Sequence, residues 1–253
     1  MARALPPLAL AYHGIADVPL RRDPSGLFVR PDDFRRQVER LHSWGYELVA
    51  FKELAERLER GSAAGTAALT FDDGLVDNLE TLAPILRETA ARATVFVVSG
   101  WLGITYRWAP WTRILTADEV RALAAEGLEI GSHTATHADL SAIGYEEALV
   151  ELERSKRELE DVIGGPVETA AYPYGRANAD AVRACRDAGY RAAGRASGSG
   201  RWNDPHDLPR QDMENGCSLV SLRLKRDNRY EPLMRWLPAR AARRLVRRAR
   251  ALG

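Results

Sequence analysis

The stretch Leu69-Thr70-Phe71-Asp72-Asp73-Gly74 decides how the rest of the chain is read. It sets two adjacent carboxylates at the end of an apolar run, residues 67–71, where a buried strand would stop. Neighbouring side chains of a regular strand point to opposite faces, so Asp72 and Asp73 share a pocket only if the backbone turns there. Gly74 permits that turn, because glycine adopts positive φ without a Cβ penalty. Two carboxylates so close call for a cation between them or a shared proton. Taken alone, Asp-Asp-Gly is equally an ordinary turn, with Asp77 as a helix-start acid. A second constellation is needed to choose.

Upstream, residues 8–11 read as a first strand ending at Tyr12-His13, and a helix follows from Pro31-Asp32-Asp33, with Phe34, Val38 and Leu41 at helical spacing. Further strands are predicted over 46–50, 94–98, 128–130, 169–172 and 190–193, and helices over 117–126, 145–163 and 179–188. Short apolar strands alternating with helices indicate a parallel sheet covered on its outer side. With the strand before Asp72, the pattern predicts an α/β fold, a distorted (β/α) barrel of about seven parallel strands. A doubly wound open sheet is the alternative. Either fold places its site at the carboxyl ends of the strands. His13, Asp72-Asp73, His133 and Pro173-Tyr174-Gly175 all fall at such ends.

The length of 253 residues suits one sizeable core. Cys185 and Cys217 are too few for a disulfide framework and show no metal-ligand spacing. No run approaches the roughly 18–20 apolar residues of a membrane span. The Pro-interrupted residues 2–11 read as a leading strand rather than an exported signal, so the expected location is cytoplasmic. Charge is balanced overall, 36 basic against 35 acidic residues, but from Ser221 onward eleven basic residues face only Asp227 and Glu231. The chain therefore divides into a catalytic domain, 1–220, and a basic amphipathic helical tail, 221–253. In the tail Leu233, Leu237, Ala241, Leu245 and Ala249 recur every four residues. Such a tail either contacts anionic membrane peripherally, at the inner membrane, or packs its apolar stripe on the body. Nucleic acid is not an expected partner, since no base-reading module accompanies the basic run.

His133-Thr134-Ala135-Thr136-His137 supplies the second constellation. Two imidazoles four residues apart lie on one side of a helical turn and can hold one divalent ion; as a bare pair they are as readily two independent histidines. Joined to Asp-Asp at another strand end, a site of two His and one carboxylate is the better explanation, and three protein ligands leave positions open for water and substrate. Zinc is the default ion, with cobalt, nickel or iron suited to the same ligands. Trp101, Tyr106, Trp108 and Trp111 cluster after a strand end, either to stack on sugar rings at a pocket rim or to form a loop's own core.

Thr70-Phe71-Asp72-Asp73-Gly74, Gly131-Ser132-His133-Thr134-Ala135-Thr136-His137 and Tyr172-Pro173-Tyr174-Gly175, in that order, resemble the first three motifs of the polysaccharide deacetylases with a NodB-homology domain, over roughly residues 8–210. The resemblance implies metal-dependent removal of N-acetyl groups from amino sugars, with Asp73, His133 and His137 as metal ligands and Asp72 as general base. It also implies that the backbone N–H of Tyr174, held by Pro173, stabilises the oxyanion. Two departures stand out. The usual late histidine motif is missing, and His13 at the end of the first strand resembles the permuted arrangement of poly-N-acetylglucosamine deacetylases, where an early histidine is the proton donor. His13 is therefore the expected general acid and His206 the substitute. Ala171 stands where many relatives carry the arginine that orients the base, and Arg210 is the expected replacement, an ordinary surface arginine being the other reading. The expected substrate is an N-acetylated sugar, lipid-linked or nucleotide-linked, with Trp108, Trp111, Pro173 and Tyr174 as its contacts. Removal of a formyl group, or a noncatalytic glycan-binding barrel, are the alternatives.

Overall fold

The structure, a computed structural model, describes residues 5–198 and 200–235. In chain order it comprises β1 (Leu8–Tyr12), β2 (Gly14–Ile15), β3 (Phe28–Val29), α1 (Pro31–Ser43), β4 (Glu47–Val49), α2 (Phe51–Glu59), β5 (Thr66–Phe71), α3 (Ala83–Thr89) and β6 (Ala93–Val97). Then follow α4 (Ala117–Ala125), β7 (Glu129–Ser132), α5 (Tyr145–Ile163), β8 (Thr169–Ala171), α6 (Ala179–Asp187), β9 (Ala192–Arg195), β10 (Leu208–Pro209), β11 (Gln211–Asp212), α7 (Leu219–Arg226) and α8 (Tyr230–Arg235). All seven expected strands are present as β1 and β4 to β9.

The strands pair in the order β10-β9-β8-β7-β6-β5-β1-β11, with β4 also on β5, and every ladder is parallel. One edge of β5 is shared: its first half, Thr66 to Ala68, pairs with β4, and its second half, Leu69 to Phe71, with β6. Closure comes from a segment the sequence pattern did not reveal. Leu208–Pro209 pairs with β9, the chain bends at Arg210, and Gln211–Asp212 pairs with β1. One bent segment thus joins the two ends of the sheet into a nearly closed barrel. Strands of two residues carry no readable period, which is why they escaped prediction.

Both faces of the sheet are dry, and this accounts for the unbroken apolar strands. Alternate residues such as Leu8, Leu10, Tyr12, Leu69, Phe71, Val95 and Val97 pack with the helices in the main core. Their neighbours Ala9, Ala68, Phe96, Ala171 and Ala192 pack with Phe51 and Leu54 in a second cluster. Small alanines leave room there for Phe51 and Phe96, whose rings meet edge to face at 5.7 Å.

In the long connection between β6 and α4, Thr116 caps α4 reciprocally with Glu119, whose carboxylate also grips Arg113 with contacts of 2.6 and 2.7 Å. The hydrogen bonds from Arg113 hold the Glu119 carboxyl down at about 2. Its stabilisation is therefore present above the ordinary value of 4.5 and lost as pH falls toward 2. Glu119→Gln should cost about 0.5–1 kcal/mol near neutrality, the pair being partly solvated. In urea unfolding, the gap between variant and wild type should close as the medium is acidified through that window.

The first part of the basic tail is helical. α7 begins at Leu219, ahead of the expected boundary, and buries Leu222 in the main core. Leu233, in α8, is 46% exposed. The remainder of the expected amphipathic helix, from Trp236 on, lies outside the described residues. No described helix is long and apolar enough to cross a membrane.

Candidate active site

The carboxyl ends of β1, β5 and β7 and the turn after β8 open on one cleft of about 300 Å³, lined among others by His13, Asp72, Asp73, His133, His137 and Tyr174. Asp72 and Asp73 share it because Asp73 itself takes φ 74° and Gly74 follows at φ 76°. Asp is one of the few side chains that tolerate this region. The histidine pair does not form a helical turn, as its spacing suggested. Thr134 at φ 66° and His137 at φ 60° fold a loop that brings the two imidazoles together, ring centroids 4.9 Å apart.

Asp73, His133 and His137 offer three ligand atoms within 4.8 Å of one another, all buried. His133 Nε2 and His137 Nε2 lie 3.5 and 3.4 Å from the same atom, Asp73 Oδ1, which has no hydrogen-bond partner among the described residues. A buried carboxylate oxygen without a donor, faced by two imidazole nitrogens, is what a cation site requires. His133 Nδ1–H donates to Ala171 O at 2.8 Å, which fixes the tautomer and leaves the Nε2 lone pair toward Asp73. Burial pushes His133 down to about 4, so the ring is neutral and able to ligate. For Asp73, burial acts upward but is outweighed by the close approach of His137 and by the neighbouring imidazoles of His13 and His133, and the carboxyl stays below its usual range. These residues fit a divalent ion.

Sequence reasoning missed one contributor. The hydroxyl of buried Tyr106 donates to Asp73 Oδ2, leaving Oδ1 for the ion. Nothing in the sequence distinguishes Tyr106 from the aromatics around it. Tyr106→Phe should weaken metal binding about 10- to 100-fold, the usual cost of losing a group that orients a ligand, measurable by competition with a chromophoric chelator.

Arg210 is fully buried, not a surface arginine. Its Nη1 and Nη2 donate to Asp72 Oδ1 and Oδ2 at 2.6 and 3.0 Å, and Nη1 also donates to Thr70 Oγ1 at 2.9 Å. The guanidinium lies over the Phe96 ring and passes Gly194 so closely that a Cβ there would sit 2.6 Å from Arg210 Cδ. Burial alone would raise the Asp72 carboxyl; Arg210 and His133 outweigh it, so Asp72 is held below the ordinary carboxylate range.

The other expected site residues divide. Tyr174, at φ 57° behind buried Pro173, and Trp108 are half-exposed in the cleft wall. Trp101, Trp108 and Tyr174 surround the His137 ring at 5.2, 5.0 and 4.7 Å, so they first of all hold that imidazole in place. Pro173 itself does not line the cleft. Nor does Trp111, whose ring packs on Phe28 at 4.7 Å while its Nε1–H donates to Arg22 O. It belongs to a loop core with Phe28, Leu75 and Ile114. His206 is also elsewhere, buried with Nε2 against Tyr190 O at 2.8 Å.

Three buried side chains that could hold one ion, a clamped carboxylate beside them and an open cleft above define a class: a parallel barrel with a candidate metal site at its strand ends. The chain belongs to the polysaccharide deacetylase family, whose profile matches residues 60–193. It is 26% identical over 183 residues to YxkH of Bacillus subtilis (strain 168), a protein named provisionally as a polysaccharide deacetylase, covering 72% of this chain and 61% of that one. It is 30% identical over 163 residues to a chitooligosaccharide deacetylase of Rhizobium leguminosarum bv. trifolii, covering 62% of this chain and 66% of that one. This chain thus spans just under two thirds of each relative. Among solved structures, the Streptococcus pyogenes deacetylase PplD, in complex with acetate, superposes with a TM-score of 0.76 at 24% identity, covering 87% of this chain and 98% of that one, a likeness of fold.

Proposed function

We propose that the protein is a metal-dependent carbohydrate N-deacetylase, hydrolysing the acetamide of an amino sugar in a glycan or glycan precursor. The observation that carries this reading is the convergence of Asp73, His133 and His137 beside an Asp72 held in bidentate fashion by Arg210, in a cleft that also contains His13. A divalent ion held by the three ligands would supply Lewis acidity toward the amide carbonyl and toward water. Zinc suits two neutral imidazoles and a carboxylate, and cobalt, nickel or iron are the other candidates.

The chain's own groups account for the proton movements. Asp72, ionised because Arg210 faces it, accepts the proton of the attacking water. His13, from the end of β1, gives a proton to the departing nitrogen. In this reading the backbone N–H of Tyr174 donates to the developing oxyanion, and the exposed faces of Trp108 and Tyr174 take the sugar ring. The carrier we favour is a lipid-linked or nucleotide-linked sugar handled in the cytoplasm, with the basic tail touching an anionic inner-membrane surface.

The test is acetate release from N-acetylglucosamine oligomers and from nucleotide-linked and lipid-linked N-acetylated sugars, after chelation and after restoring zinc or cobalt. Metal-restored acetate supports the reading and ranks the carriers; formate from an N-formyl substrate alone would replace acetyl by formyl. No release, together with glycan binding indifferent to chelation, would make the protein a noncatalytic glycan binder. His13→Ala should slow turnover with metal retained.

A further inference from the structure

We propose that Asp77 and Asn78 are positioning residues for His13, holding the acid's backbone from the very loop that carries Asp72 and Asp73. The inference rests on His13 being the proton donor. His13 stands just beyond β1, where the ladder to β5 ends at Tyr12 and Phe71, so its own strand no longer restrains it. Its restraint comes from the short β2–β3 ladder that begins at Gly14 and from the segment just after β5. Asn78 Nδ2 donates to His13 O at 3.2 Å, and Asp77 Oδ1 accepts from Ile15 N at 2.6 Å. Asp77 and Asn78 are 6% and 0% exposed.

Gly14 between the two anchored residues shows how tight the clamp is. A Cβ there would lie 2.2 Å from Phe28 Cδ1 and 3.1 Å from Asp77 Oδ2. Asp77 has no basic partner among the described residues and serves no proton step. A buried carboxylate without a cation is costly, and an apolar side chain of similar size would pack at less cost. What an apolar residue cannot do is accept the Ile15 N–H while its neighbour Asn78 holds the His13 carbonyl. Burial pushes the Asp77 carboxyl up to about 7, so in mildly acidic solution it is mostly the neutral acid, which an asparagine mimics closely. Because Asp77 and Asn78 follow Asp72 within one turn-and-helix start, the clamp ties the donor of one proton to the acceptor of the other.

The experiment compares Asp77→Ala, Asp77→Asn and Asn78→Ala with wild type, all zinc-loaded and held well below their unfolding temperatures. Misplacing a reacting group by about 1 Å costs up to about 100-fold. Asp77→Ala and Asn78→Ala should therefore lower kcat on N-acetylglucosamine oligomers about 10- to 100-fold with KM and zinc content unchanged, and Asp77→Asn should restore most of it. In a His13→Ala background the Asp77→Ala effect should shrink to less than about twofold, since residues acting through one group are not additive. Imidazole NMR supplies a readout that needs no substrate: the His13 ring signals should move or broaden in Asp77→Ala and return in Asp77→Asn. An additive double variant, a fall in zinc content, or unmoved His13 signals would overturn the clamp alone. Full activity of His13→Ala would overturn both the clamp and the acid it serves.

Discussion

Asp72→Asn should lower kcat by about 10²- to 10⁴-fold, the range general base catalysis contributes, and leave bound metal at the wild-type level. Asparagine keeps the shape of the side chain and one acceptor for Arg210, but cannot take a proton from water. Asp72 is not among the three residues whose ligand atoms converge, so the metal site keeps its full donor set. The substitution also leaves the Arg210 charge, wholly buried, without its counter-charge. Breaking a buried pair by removing one partner costs about 3–5 kcal/mol, so the variant should unfold at markedly lower urea concentration while remaining folded in buffer. Acetate release under saturating substrate, metal analysis and urea titration separate the three effects. A kcat within tenfold of wild type would remove Asp72 from the role of base; loss of metal would make it a ligand.

His137→Ala should abolish metal retention on dialysis, and turnover should fall with it. Two donors then remain where three converge, and the loss should exceed the roughly 10- to 100-fold expected for a group that merely orients a ligand. The packing is lost too, because Trp101, Trp108 and Tyr174 all rest on this ring. Zinc at 100 times its dissociation constant should stabilise wild type by about 2.7 kcal/mol through mass action and the variant by almost nothing. Thermal unfolding with and without zinc reads the difference directly, independent of any substrate. A variant that kept both metal and the zinc-dependent shift would remove His137 from the ligand set.

Much of this was legible in the residues alone because short-range patterns carry it. The period of apolar residues marked seven strands, and the turn chemistry of Asp-Asp-Gly and the two nearby histidines sat at strand ends, where a parallel barrel gathers its side chains. Even locally, legibility stopped at backbone conformation. Spacing suggested a helical turn for His133 and His137, whereas positive φ at Thr134 and His137 builds the loop that joins them. Trp108 and Trp111, three residues apart in one aromatic segment, read alike in sequence, yet one lines the cleft and the other packs under a loop.

Contacts between residues far apart in the chain were decided only by the tertiary structure. Arg210 meets Asp72 across 138 positions because the bent segment Leu208 to Asp212 closes the barrel there and the missing Cβ of Gly194 leaves the guanidinium a path. The Tyr106 hydroxyl reaches Asp73 from a loop with no period, and Asp77 grips Ile15 across 62 positions. His13 lines the cleft and His206 packs behind β9, although both are single histidines beside turns. The sequence by itself determined the longer strands and helices, because dihedral preference and periodicity are local properties that need several residues to register. Which polar side chains face one another is set by how those segments close on themselves, and here a barrel joined by two-residue strands brought Arg210 to Asp72.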